Sequence, residues 1–174
     1  MQKFLVVVDM QNDFINGTLG TQQAQSIVDN VANKINCFDG KIIATYDTHS
    51  ADYLHTCEGK NLPVEHCIKG TFGFELNEKV ENALRNKGYV RVEKNTFGCL
   101  ELPKIIAESA KNDEISVEFV GVCTDICVIS NALITKAAFP TAQISVDSKC
   151  CAGVTPQLNQ AALDVMRSCQ IKVY

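Results

Sequence analysis

The chain has 174 residues, 46% of them hydrophobic and 21% charged, with 16 Lys+Arg against 20 Asp+Glu for a net charge of −4. This composition excludes a disordered or collagen-like chain, and the length fits a single globular domain over residues 1–174. The positive charges are scattered and form no basic stripe, so nucleic acid is not an expected partner.

The opening apolar run Phe4-Leu5-Val6-Val7-Val8 is too short for a signal-peptide core or a membrane span, so a cytoplasmic protein with no membrane partner is expected. It reads as the first strand, over 3–9. Further β-branched or apolar runs predict strands at 41–46, 89–93, 115–121, 143–147 and 171–174. Helical periodicity lies between them. Ala24, Ile27, Val28, Val31 and Ile35 share one apolar face, as do Leu76, Val80, Ala83 and Leu84, and then Ile126, Ile129, Leu133 and Ala137. A last helix opens with a hydroxyl cap and proline, Thr155-Pro156, and carries Leu158, Ala161, Ala162, Val165 and Met166. The nine cysteines are odd in number, contain no C-x-x-C pair and sit in a chain that needs no staples, so they are expected as free thiols and mostly as small core residues.

Alternating strands and helices imply a doubly wound α/β fold: a mainly parallel six-stranded sheet with helices on both faces. Such sheets bind ligands beyond the carboxyl ends of their strands. The polar residues expected there are Asp9, Asp47 with His49, Lys94, the 123–127 turn and Asp147. The irregular stretch 48–71 holds His49, His55 and His66 and is expected to wall the site.

Several of these residues carry chemistry. Cys127 falls in the first turn of a helix that follows a strand, where free N–H groups and the positive helix end favour a thiolate; the alternative is one more buried cysteine. Asp9 and Lys94 fit a proton acceptor and a stabilising cation for that thiol, or equally an ordinary ion pair at a sheet end. Asp47, His49 and His66 fit an open zinc-type site or hydrogen-bonded loop residues. His55 is expected in solvent. Asp147, before Ser148-Lys149-Cys150-Cys151, is expected to bond loop amides at a strand end and to do no chemistry.

Taken together, these segments resemble the isochorismatase-like cysteine hydrolases, and within them the nicotinamidases (pyrazinamidases), over nearly the whole chain. Val6-Val7-Val8-Asp9-Met10-Gln11-Asn12-Asp13-Phe14 is similar to the family's opening motif and implies that Asp9 is the catalytic acid/base. Glu93-Lys94 with Phe97 resembles the catalytic lysine segment. Gly121-Val122-Cys123-Thr124-Asp125-Ile126-Cys127-Val128 is similar to the nucleophile motif, implying Cys127 as nucleophile, a cis peptide at Val122–Cys123, and the amides of Cys123 and Cys127 as oxyanion donors. Thr45-Tyr46-Asp47-Thr48-His49 and Glu65-His66-Cys67-Ile68-Lys69-Gly70-Thr71 resemble the two halves of the metal motif. That implies a divalent ion on Asp47, His49 and His66, zinc first, with manganese or iron as alternatives.

The resemblance further implies an aromatic wall at Phe14 and Phe97, a small amide as substrate, a role in NAD salvage and a homo-oligomer. The tryptophan that nicotinamidases carry beside the second metal histidine is missing here, and Leu62-Pro63-Val64 stands in its place. Isochorismatases proper lack the nucleophilic cysteine, so Cys127 points to amide chemistry. Hydrolysis of nicotinamide is the expected function. The alternatives are another amide or carbamoyl compound with a vestigial metal site, or a non-catalytic binding domain.

Overall fold

The computed structural model describes residues 1–111 and 113–174. In chain order the elements are β1 (Gln2–Val8), α1 (Asn12–Ile15), α2 (Gln22–Cys37), β2 (Lys41–Asp47), α3 (Cys57–Asn61), α4 (Glu78–Lys87), β3 (Val90–Lys94), α5 (Leu102–Ala110), β4 (Ile115–Val122), α6 (Ile129–Ala138), β5 (Gln143–Ala152), α7 (Pro156–Ser168) and β6 (Lys172–Val173). All six strands pair in parallel, in the order β3-β2-β1-β4-β5-β6. The chain winds outward from β1 on one side and returns to start again at β4 on the other. The carboxyl ends of β1 and β4 therefore flank a topological switch point, where such sheets open a crevice.

β1 sits at the centre because it can be buried on both faces. Its alternate residues feed two separate cores, Leu5 and Val7 on one side and Phe4, Val6 and Val8 on the other. The first core is closed by α2, whose buried positions Ala24, Ile27, Val28, Val31 and Ile35 are those the periodicity marks, together with α4. The second is closed by α5, α6 and α7. The helices are capped by side-chain oxygens: Thr155, the cap expected from sequence, accepts the Leu158 amide, and Thr21 and Asn77 accept those of Ala24 and Lys79. At the end of β4, Gly121 has φ +120°, and a Cβ there would lie 2.1 Å from the Val8 carbonyl oxygen. Only glycine lets β4 approach β1 this closely at the mouth of the crevice.

Three expectations are corrected, and one helix was not expected. The fifth strand does not end at Asp147: β5 bulges between its pairings Phe119↔Val146 and Gly121↔Cys151 and continues to Ala152. Asp147 thus lies at the bulge and binds Lys34, 2.7 Å away, besides accepting the Lys149 amide. In α6 the fully buried residues are Asn131, Ala132 and Thr135, with Ile129 and Leu133 only partly covered. In α7 Leu163 is buried and Leu158 and Val165 are exposed. Finally, α5 has only Leu102, Ile106 and Ala110 as its buried side, too sparse a stripe to stand out in sequence. Cys150 and Cys151, adjacent along β5, fall in opposite cores and pack as small apolar residues.

Candidate active site

Three strand ends converge at the crevice. Asp9, immediately after β1, takes a left-handed φ of 48°, and its amide donates to the Thr45 carbonyl at 3.2 Å. Its Oδ1 accepts the Thr45 hydroxyl at 2.7 Å, while Oδ2 pairs with Lys94 Nζ at 2.7 Å. Lys94 ends β3, and because Asp47 is its register partner on β2 the ammonium also reaches Asp47 Oδ1 at 3.4 Å. Its third neighbour is Cys127 Sγ, 3.6 Å away. Cys127 lies in a π-helical turn, Thr124–Val128, that leads from β4 into α6, and the Val122–Cys123 peptide before it is cis. The Cys123 carbonyl accepts the amides of Ile126 and Val128, the residues on either side of Cys127.

Burial decides the protonation of this cluster. Asp9 is completely buried and desolvation raises its carboxyl above the ordinary 3.8, opposed by the Lys94 ammonium. Desolvation would lower Lys94, but the charges of Asp9 and Asp47 outweigh it and hold the ammonium protonated. Cys127 is pushed well above 9.0, first by desolvation and then by Asp9, against the pull of Lys94. The helix-end argument for a resting thiolate is therefore corrected: the thiol keeps its proton and faces the carboxylate that can take it.

Beside this cluster lies a second. Asp47, His49, Glu58 and His66 each turn one donor atom to a common point, all within 4.8 Å of one another. Asp47 Oδ2 is 3.0 Å from His49 Nε2 and 3.4 Å from His66 Nε2, and Glu58 Oε1 is 3.8 and 3.7 Å from the same nitrogens. His66 Nδ1 is committed to the Val64 carbonyl at 2.8 Å, which fixes the ring with Nε2 toward the group. Hydrogen bonds from His49 and His66 hold Asp47 well below the usual carboxylate range despite its burial. Two imidazoles and two carboxylates on one point suit zinc or a similar divalent ion, so the residues present fit a metal.

Both clusters open on one cavity of about 310 Å³, lined by Phe14, Leu19, Ala24, Leu62, Phe97, Ile126, Val154, Cys123, Cys127 and the metal-site residues Asp47, Glu58 and His66. The structure thus brings together Asp9, Lys94, Cys127, Asp47, His49, His66, Phe14 and Phe97, and leaves His55 exposed and Asp147 elsewhere.

The sequence reading missed Glu58, which α3 delivers, because a lone glutamate in a polar stretch carries no ligand spacing. It also missed three supports. Gln11 grips the Asp47 backbone from both sides, donating to its carbonyl and accepting its amide at 2.8 Å each. Asp13 accepts the Cys67 amide at 2.8 Å and so anchors the His66 segment. Buried Tyr53 packs its ring 4.7 and 4.9 Å from those of His49 and His66 and donates its hydroxyl to the Leu62 carbonyl. The short spacing of Gln11 and Asp13 from Asp9 was the available signal for the first two.

A parallel sheet with its polar groups at a switch point defines a Rossmann-like α/β architecture, and the comparisons give the family. The isochorismatase domain matches residues 3–174, and the chain belongs to the isochorismatase family. It is similar to the solved nicotinamidase/pyrazinamidase of Bacillus subtilis, with 24% identity, TM-score 0.86 and 99% of each chain covered. It is also similar to the pyrazinamidase/nicotinamidase of Streptococcus mutans, with 25% identity, TM-score 0.85, and 99% of this chain and 100% of that chain covered. A third similar structure is the pyrazinamidase of Pyrococcus horikoshii in complex with zinc, with 25% identity, TM-score 0.81, and 100% of this chain and 99% of that chain covered. No curated protein matches the sequence. By family the protein is grouped with the isochorismatase-type hydrolases.

Proposed function

We propose that the protein hydrolyses a small uncharged carboxamide through a thioester on Cys127, with nicotinamide, giving nicotinate and ammonia, as the substrate to test first. The observation that carries the reading is the buried contact of Lys94 with both Asp9 and Cys127, at the back of an apolar cavity that also reaches the metal-ligand group.

In the first half-reaction the Asp9 carboxylate takes the Cys127 thiol proton as sulfur attacks the amide carbonyl carbon. The amides of Cys123 and Cys127 receive the oxyanion, a kind of contact commonly worth about 3 kcal/mol per donor. As the C–N bond breaks, Asp9 returns the proton to the departing nitrogen and ammonia leaves. In the second half Asp9 takes a proton from water, the oxygen adds to the thioester, the C–S bond breaks, and the proton goes back to sulfur. Lys94 stays protonated throughout and offsets the negative charge that moves between Asp9 and Cys127. Asp47, His49, Glu58 and His66 would hold the divalent ion, zinc first and manganese or iron otherwise, which when bound acts as a Lewis acid toward a ring nitrogen or an ordered water.

The cavity wall supports a flat or compact apolar group. Phe14 and Phe97 offer aromatic faces, and Leu62 provides aliphatic contact where a tryptophan is missing. A substrate with its own carboxylate or a ureido group would find, among the described residues lining the cavity, no lysine or arginine and only Thr21 as an added hydroxyl. This disfavours the carbamoyl alternative.

The test is ammonia release from nicotinamide by zinc-supplemented protein, with Cys127→Ala as control. Release that needs Cys127 supports the reading. Release that persists in the variant refutes the covalent scheme, and silence from both moves the substrate to another amide or the protein to a binding role. Selective alkylation of Cys127 would count against the latter.

A further inference from the structure

Asn131 is the one fully buried amide side chain of α6, one helical turn past Cys127 on the face that the apolar pattern leaves to polar residues. Its carboxamide makes three hydrogen bonds, two to the 97–99 segment and one to the turn that carries Cys127. Oδ1 accepts the Cys99 amide at 2.9 Å, and Nδ2 donates to the Phe97 carbonyl at 3.1 Å and to the Cys127 carbonyl at 2.8 Å. With a donor facing Oδ1 and two acceptors facing Nδ2, the orientation of the amide is determined by its partners.

The segment it holds needs holding. Residues 95–98 follow β3 without regular structure, Phe97 and Leu100 are 44% and 79% exposed, and little apolar surface anchors them. Gly98 of this segment lies against α6, beside the end of the Ile134 side chain. The segment begins directly after Lys94 and carries Phe97 into the cavity wall. We propose that Asn131 is a positioning residue: it fastens the Phe97 wall to the nucleophile turn, so that the width of the cavity is set by one side chain. Substrate discrimination is then a property of α6 as well as of the wall itself.

Two variants test this. Asn131→Asp keeps the acceptor for Cys99 and turns an oxygen against two carbonyls; Asn131→Ser removes the bridge with less risk to folding. The kinetic arm rests on the amide-hydrolysis reading. Losing two neutral hydrogen bonds should raise KM for nicotinamide roughly five- to thirtyfold while kcat per titrated Cys127 changes by less than about threefold. In a Phe97→Ala background the same substitution should leave KM unchanged.

The second arm needs no turnover. The rate of Cys127 alkylation by iodoacetanilide relative to iodoacetamide reports whether the wall receives a ring, and the ratio should fall toward one in both variants. Loss of kcat alone in step with thermal stability, with KM and the alkylation ratio unchanged, would overturn the proposal, as would a full KM effect in the Phe97→Ala background. If the wild type releases no ammonia, the functional reading fails, and the alkylation ratio still decides for or against Asn131.

Discussion

Replacing Lys94 by methionine keeps the length of the side chain and removes the charge that three groups share. The pair it breaks is wholly interior, with side-chain exposures of 2% for Lys94 and 0% for Asp9 at 2.7 Å. At such a site the Coulomb gain is not screened by water, and removing one partner strands the other. The expected loss is about 3–5 kcal/mol at neutral pH, a large share of the roughly 5–15 kcal/mol that holds a domain together.

The loss has a pH signature. Asp9 is already raised by burial, and without the ammonium it rises further, so the folded variant holds a proton that the unfolded chain gives up near 3.8. Where the folded state binds more protons than the unfolded one, stability falls as pH rises, by up to about 1.4 kcal/mol per unit for one proton. The window runs upward from the ordinary carboxylate value to the raised one. Urea unfolding of wild type and Lys94→Met should therefore differ less at about pH 5 than at about pH 8, and the variant should release no ammonia at either pH. A difference that is small and flat across this range would refute the buried-pair account.

Other substitutions probe other parts of the structure. His66→Ala should lower bound zinc by at least about tenfold in affinity, since losing only a hydrogen-bond partner of a ligand already costs that much, and should raise KM for nicotinamide more than it lowers kcat; Cys127→Ala should leave zinc binding intact. Gly121→Ala places a Cβ 2.1 Å from the Val8 carbonyl at φ +120°, so a loss of about 3 kcal/mol or more is expected in thermal unfolding. Lys34→Met removes the cation between Glu118 at 2.8 Å and Asp147 at 2.7 Å. These groups are half-screened by solvent, so the expected cost is about 2 kcal/mol in urea unfolding, with kcat/KM unchanged because none of them lines the active-site cavity.

What could be read from sequence was what one physical rule dominates. The run Phe4–Val8 can only be a strand buried on both faces, and the apolar positions of α2 recur at helical spacing because its whole inner face meets one core. Strand-end polar residues then fell together because a parallel sheet sends all its carboxyl ends the same way. The misses are places where two rules compete. α6 spends inner positions on Asn131 and Thr135, so its apolar stripe points at the half-covered side. β5 absorbs extra residues as a bulge at Asp147, which looks like a strand end because the alternation stops there. Glu58 joins the metal group only through the fold of the 48–71 stretch, which brings α3 back over His49 and His66. The resting state of Cys127 was misjudged because its local helix end is visible in sequence and its complete burial beside Asp9 is not.

The covalent step on Cys127 is the centre of the account, and it can be observed directly. Protein mixed with excess nicotinamide, quenched in acid within the first turnover and digested, should yield the Cys127 peptide carrying a nicotinoyl thioester, labile to hydroxylamine and absent from Cys127→Ala. Steady ammonia release with no adduct at Cys127 at any quench time, or an equal adduct yield on another cysteine in the variant, would contradict it.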